Sequence, residues 1–161
     1  DDGIKVEVLG THFNVDAYND EPTAKVTLLK GKIRVSRLTT GSAASFRLRS
    51  TNGSETSQIL EPGQQAQVKR GGNIKVINNT DINEAVAWKN DLFWFNDSNI
   101  QEVMRELSRW YNVDVVIKGN IIKHFTGSIP RDVNVSKVFE ILQSTGGIHF
   151  EIQDGKIIVS P

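Results

Sequence analysis

Over the first eighty residues the large apolar side chains recur every second position. Ile4, Val6 and Val8 alternate with polar neighbours, Phe13, Val15 and Ala17 resume after Gly10, and Val26 and Leu28 follow the turn Asn19-Asp20-Glu21-Pro22. Successive strand side chains point to opposite faces, so this pattern predicts half-buried strands. Lys30-Gly31-Lys32 then turns the chain into Ile33 and Val35, with a glycine where a tight hairpin demands positive φ. Thr39 to Ser45 reads as a small polar loop, Phe46 and Leu48 as a short strand, and Thr51-Asn52-Gly53-Ser54 as a turn. Ile59-Leu60 runs into Pro62-Gly63, a pair that favours a type II turn, and Ala66, Val68, Ile74, Val76 and Ile77 continue the alternation around Gly71-Gly72. Strands spaced by roughly 8–12 residues, with no helical period, predict a β-sandwich, a barrel or an irregular solenoid-like roll.

The period changes at Asp81. Asp81 followed by Glu84 forms a potential capping box, which predicts a short helix through Ala85, Val86 and Trp88. Five large apolar side chains then fall between Trp88 and Phe95. Leaving each in water costs about 1.5–3 kcal/mol, so the stretch is expected to be core at a junction between two halves. Beyond it, Ile100, Val103, Met104, Leu107 and Tyr111 share one helical face, opened by Ser98 with Gln101, and Val113, Val115 and Ile117 alternate as a strand. The pattern recurs 35 residues on. Asn99 maps to Asn134, the helical Val103, Met104 and Leu107 map to Val138, Phe139 and Leu142, and the strand residues map to Ile148, Phe150 and Ile152. Gly146-Gly147 ends the second helix where Tyr111-Asn112 ends the first. Ile157 to Val159 follow the turn Asp154-Gly155-Lys156 as a last strand. The expected architecture is mainly β plus α+β: an all-β domain over 1–85, a β-sandwich or solenoid-like roll, then a small β-α-β repeat module with two helices over 86–161.

Composition narrows the function classes. Nineteen basic and nineteen acidic residues cancel, which leaves no electrostatic footprint for nucleic acid or an anionic membrane. An apolar content of 38% and a mean hydropathy of -0.32 suit a globular chain, and no run approaches the roughly 18 apolar residues of a membrane helix. With no cysteine there are no disulfides, thiolate nucleophiles or Cys-based zinc sites. The first residue is Asp1 rather than Met, which leads us to expect a piece of a longer protein.

Candidate chemistry is sparse. His12, His124 and His149 lack metal-ligand spacing, and Glu102 and Glu106 share a helix face with Arg105 and Arg109, the make-up of a solvated surface. There is no G-x-S-x-G elbow and no phosphate loop. Four N-x-Ser/Thr sequons, at Asn52, Asn78, Asn96 and Asn134, read as chance matches, Asn134 being better used as a helix cap. Arg47, Arg49, Lys69 and Arg70 lie among acids and turns without an aromatic face for single strands. No enzyme, cofactor or metal site is expected.

Three ordered motifs carry a family resemblance. Val8-Leu9-Gly10-Thr11-His12-Phe13-Asn14-Val15, Leu28-Leu29-Lys30-Gly31-Lys32-Ile33-Arg34-Val35 and Leu60-Glu61-Pro62-Gly63-Gln64-Gln65-Ala66 resemble the successive signatures of the FecR-like anti-sigma factors, and the Ala87-Trp88 junction fits the same spacing. Leu92-Phe93-Trp94-Phe95, Ile100 to Tyr111 and Thr126-Gly127-Ser128-Ile129 resemble the C-terminal domain of the Bacteroidetes members, itself similar to the short signalling modules of secretins and TonB-dependent receptors. Segment 36–58 matches least. The resemblance implies the periplasmic region of a single-pass inner-membrane regulator. Its partner would be the signalling domain of a TonB-dependent outer-membrane transporter, and an extracytoplasmic-function sigma factor would be controlled through a segment outside this chain. It implies no catalytic residues.

A binding role also suits the module itself, because open sheets leave edges that accept a partner strand. The expected partner-binding segments are Thr126, Gly127, Ser128 and Ile129, and the last strand, Lys156, Ile157, Ile158, Val159 and Ser160. Two other readings stand beside this one. A carbohydrate-binding module would use Trp88, Trp94 or Trp110 as an exposed platform, with Trp110 favoured because it lies off the main helical stripe. A structural assembly module, such as a secretin-type ring subunit, would self-associate without a receptor.

Overall fold

The computed structural model describes residues 3–8, 10–37, 57–69 and 72–161. The chain divides into two compact units, Asp1–Ala85 and Val86–Pro161.

The first unit contains strands β1 (Ile4–Val8), β2 (His12–Asp16), β3 (Thr23–Lys30), β4 (Ile33–Arg37), β5 (Ser57–Leu60), β6 (Gln65–Lys69) and β7 (Ile74–Ile77). Among the described residues they form two antiparallel sheets, ordered β1-β4-β5 and β2-β3-β6-β7. The alternating apolar rows of both sheets meet in one core: Val26, Leu28, Ala66, Val68 and Ile74 from one, Ile33, Val35 and Leu60 from the other. At Pro62-Gly63 the turn is as expected, with Gly63 at φ 84° and the Gln64 N–H donating to the Glu61 carbonyl at 3.0 Å.

Gly31 departs from expectation. Its φ is 96°, but β3 and β4 do not form a hairpin: β3 pairs with β2 and β6, and β4 with β1 and β5. The turn instead carries the chain from one sheet to the other. Val26 and Leu28 thereby share a core with Ile33 and Val35, and all four are buried. The expected strand at Phe46 and Leu48 and the turn at Thr51 to Ser54 lie outside the described residues.

Helix α1 (Ile82–Val86) is capped by Asp81, whose Oδ1 accepts from the Asn83 N–H at 2.9 Å. A 3-10 turn over Ala87–Asn90 follows and stops at Asp91, a left-handed residue at φ 53°.

The second unit runs β8 (Leu92–Asn99), α2 (Ile100–Tyr111), β9 (Val115–Ile117), β10 (His124–Pro130), α3 (Val135–Gly146), β11 (His149–Gln153) and β12 (Lys156–Ser160). The internal repeat is therefore structural: β8-α2-β9, then β10-α3-β11. The leading strands β8 and β10 pair antiparallel, while β9 and β11 flank β12, which is parallel to the former and antiparallel to the latter. Helix α2 is capped one residue later than Ser98, by Asn99. Its Oδ1 accepts from the Glu102 N–H and its own N–H donates to Glu102 Oε2, both at 3.0 Å. Asn134 caps α3, accepting from the Lys137 N–H at 2.9 Å. Asn112 and Gly147 end the two helices in the left-handed conformation, at φ 53° and 60°. The unit's core gathers Phe93, Phe95, Val103, Met104, Leu107, Phe125, Ile129, Val138, Phe139, Leu142 and Val159.

Two expectations are corrected here. The apolar run after Ala87 is not buried as a block, because strand alternation sends Phe93 and Phe95 inward and leaves Leu92 and Trp94 half-buried on the other face. Trp88, ahead of the strand, is 55% exposed. The last strand, Lys156 to Ser160, is not an edge. It is the centre of its sheet, with Ile157, Ile158 and Val159 buried, because the parallel pairing to β9 covers the side that a hairpin alone leaves open.

Candidate functional site

Among the described residues β10 pairs with β8 alone, so its second side carries backbone groups that no other strand takes up. Opposite residues in an antiparallel pair alternate between bonded and non-bonded positions. Just beyond the strand end the Arg131 N–H donates to the Asp91 carbonyl at 2.8 Å, in register with Ile129 opposite Phe93 and Gly127 opposite Phe95. The intervening residues Ser128 and Pro130 therefore turn their backbone groups outward. Ser128 offers an N–H and a carbonyl, and Pro130 a carbonyl only. Phe125 and Ile129 point into the core, whereas Thr126, Gly127 and Ser128 are exposed.

Both ends of this edge are held. At the start the register shifts between Phe125 and Gly127, and Gly127 takes φ 146°, a bulge that bends the strand. Across it, the Asp97 N–H donates to Thr126 Oγ1 at 3.0 Å and Asp97 Oδ1 lies 2.9 Å from His124 Nδ1. At the other end Arg131 is locked. Its Nε–H donates to the Leu92 carbonyl at 3.0 Å and Nη2–H to Glu106 Oε1 at 2.7 Å. Its guanidinium carbon lies 4.8 Å from the Phe93 ring centroid and 4.7 Å from that of Trp110. The two rings meet edge to face at 6.1 Å and 88°. Trp110 returns a bond from Nε1–H to the Arg131 carbonyl at 3.3 Å, and the Tyr111 hydroxyl donates to the Val133 carbonyl at 2.7 Å. Burial raises the Tyr111 pKa; the Arg131 charge opposes that shift and the Asp132 charge adds to it.

An open cleft of about 370 Å³ lies beside this lock, lined by Asn90, Asp91, Leu92, Trp110, Pro130, Arg131 and Asp132. Of the two expected binding segments, residues 126–129 thus lie on a free edge and residues 156–160 do not; the two are in different sheets. Sequence reasoning singled out Trp110, which is 48% exposed, but not Arg131, Asp91 or Asp132. For Arg131 and Asp132 the one local signal is the Pro-Arg-Asp run that closes the strand, which resembles any turn. His12, His124 and His149 sit on β2, β10 and β11, and no group of three or more metal-ligating side chains forms among the described residues.

Residues 92–159 match the family model of the FecR C-terminal domain. Two crystal structures of a candidate anti-sigma factor from Parabacteroides distasonis each match with a TM-score of 0.73 and 25% identity, over 96% of this chain. The chain spans 66% of the length of those solved chains. No curated protein matches the sequence.

Proposed function

We propose that the chain is the periplasmic sensor region of a FecR-like anti-sigma factor, a single-pass inner-membrane regulator. In this reading the signalling domain of a TonB-dependent outer-membrane transporter docks on it when the transporter is loaded. The signal then passes to an extracytoplasmic-function sigma factor through a part of the protein outside this chain. Among the described residues no helix is long and apolar enough to cross a membrane.

The observation that carries the reading is the free edge of β10, which falls inside the FecR C-terminal domain and presents the outward groups of Ser128 and Pro130. A partner strand added there gains main-chain hydrogen bonds from an edge that is already built. The docking site is accordingly Thr126, Gly127 and Ser128, with Ile129 holding the strand to the core. Lys156 to Ser160 support the neighbouring sheet.

Titration calorimetry of this chain against the signalling domain of a TonB-dependent transporter from its own genomic neighbourhood tests the proposal. Saturable one-to-one binding is expected. Ser128→Pro removes an outward N–H without touching the β8 ladder, and should weaken binding by about tenfold, the worth of one well-made hydrogen bond. No heat and no co-elution, with both proteins folded, would sink the reading.

A further inference from the structure

We propose that the cleft beside Trp110 receives a basic side chain, arginine or lysine, carried by the protein strand that docks on β10. The inference rests on the receptor reading for the identity of that strand, and on the cleft itself for the chemistry.

The charge of the cleft is set by what its residues already do. The Arg131 guanidinium is paired with Glu106 at 2.7 Å, bonded to the Leu92 carbonyl and stacked against two rings, so its positive charge is neutralised in place. Asp91 and Asp132 line the same cleft, and no basic side chain among the described residues engages either carboxylate. The third component is the indole of Trp110. Its N–H is occupied by the Arg131 carbonyl and part of its ring by the Arg131 guanidinium, yet about half of the residue is exposed, so the rest of the indole offers a π surface and no donor. An electron-rich ring beside two carboxylates favours a cation with an apolar stem, and repels an anion.

The position selects the carrier. Pro130 both ends the free edge and lines the cleft. A strand paired along Ser128 and Pro130 therefore brings its next residues over the cleft mouth. Main-chain pairing alone does not discriminate between partners, whereas a buried match of charge and ring does.

The test uses the intact chain, nitrogen-15 labelled, with N-acetyl-arginine amide as probe and N-acetyl-citrulline amide as its uncharged counterpart. A saturable shift of the Trp110 indole N–H resonance is expected with the arginine probe, with binding about fivefold weaker for citrulline and for the double variant Asp91→Asn/Asp132→Asn. Asparagine keeps the shape of both side chains and tolerates the left-handed backbone of Asp91, so the variant should stay folded. The absence of a shift, or equal shifts from the two probes or in the variant, overturns the proposal. Titrating the transporter's signalling domain into the same variant reads the second half. Binding about fivefold weaker at unchanged stoichiometry is expected, and unchanged affinity overturns the assignment of the cleft to that partner. An arginine probe that saturates while no transporter domain binds the native chain overturns the receptor reading and leaves the cation site standing.

Discussion

Three side chains decide much of the second unit. Phe93 is fully buried and touches Phe95, Trp110 and Tyr111, whereas Trp94 next to it is only half-buried. Phe93→Ala is therefore expected to cost about 3–5 kcal/mol in urea unfolding, and Trp94→Ala about 1–2 kcal/mol; equal costs would contradict the alternation of β8. The side chain of Arg131 is 13% exposed and that of its partner Glu106 29%. Arg131→Ala removes the ion pair, the bond to Leu92 and both ring contacts, an expected loss of about 2–4 kcal/mol. Arg131→Lys keeps the charge without the planar fork and should recover little of it. Tyr111 supplies a pH signature. In the unfolded chain its hydroxyl ionises near the ordinary value of 10.0, while in the folded unit burial raises that value. The folded state thus holds its proton longer, and stability falls as pH rises above about 10 and through the raised value. Tyr111→Phe should flatten that decline relative to the native chain in unfolding experiments across the alkaline range. Trp110 was legible from sequence because one exposed ring off an amphipathic stripe is a local fact. Arg131 was not, since its role comes from residues 25 and 39 positions away.

At the scale of the element, the helices follow local chemistry closely. Asn99 and Glu102 satisfy each other's free N–H groups, so Asn99→Ala should cost about 1 kcal/mol, and Ser98→Ala much less; the reverse order in thermal unfolding would return the cap to Ser98. Ser98 and Asn99 both have side chains fit to cap and a Glu or Gln three residues on, so the sequence leaves two frames open. The choice falls to Asn99 because Ile100 then faces the core. Gly31 shows the opposite case. A Cβ there would lie 2.5 Å from Thr11 Cγ2 on a backbone at φ 96°, so Gly31→Ala should destabilise by about 2 kcal/mol or more. The need for glycine was visible in the sequence, but the turn's destination was not. A positive-φ glycine serves a hairpin and a crossing between sheets equally well.

For the whole molecule, each unit has a core of its own, the second drawn from Phe93 to Val159. Residues 86–161 expressed alone should therefore unfold cooperatively in urea, monitored by tryptophan fluorescence and circular dichroism; a fragment without a transition would show that its core is insufficient. Among the described residues the sequence by itself determined most element types, the 35-residue repeat, the helix caps to within one residue and the need for glycine at Gly31 and Gly63. Each of these depends on side chains a few positions apart, through strand or helix periodicity, capping bonds and the φ that a residue tolerates. Only the tertiary structure decided which strands pair. It placed β3 and β4 in different sheets, made β12 a centre strand, and left the edge of β10 open. Strand alternation reports which face is buried but nothing about the neighbour on either side, because any strand can hydrogen-bond to any other. The partner is chosen by how whole apolar faces close on one another, and that is settled across the chain rather than along it.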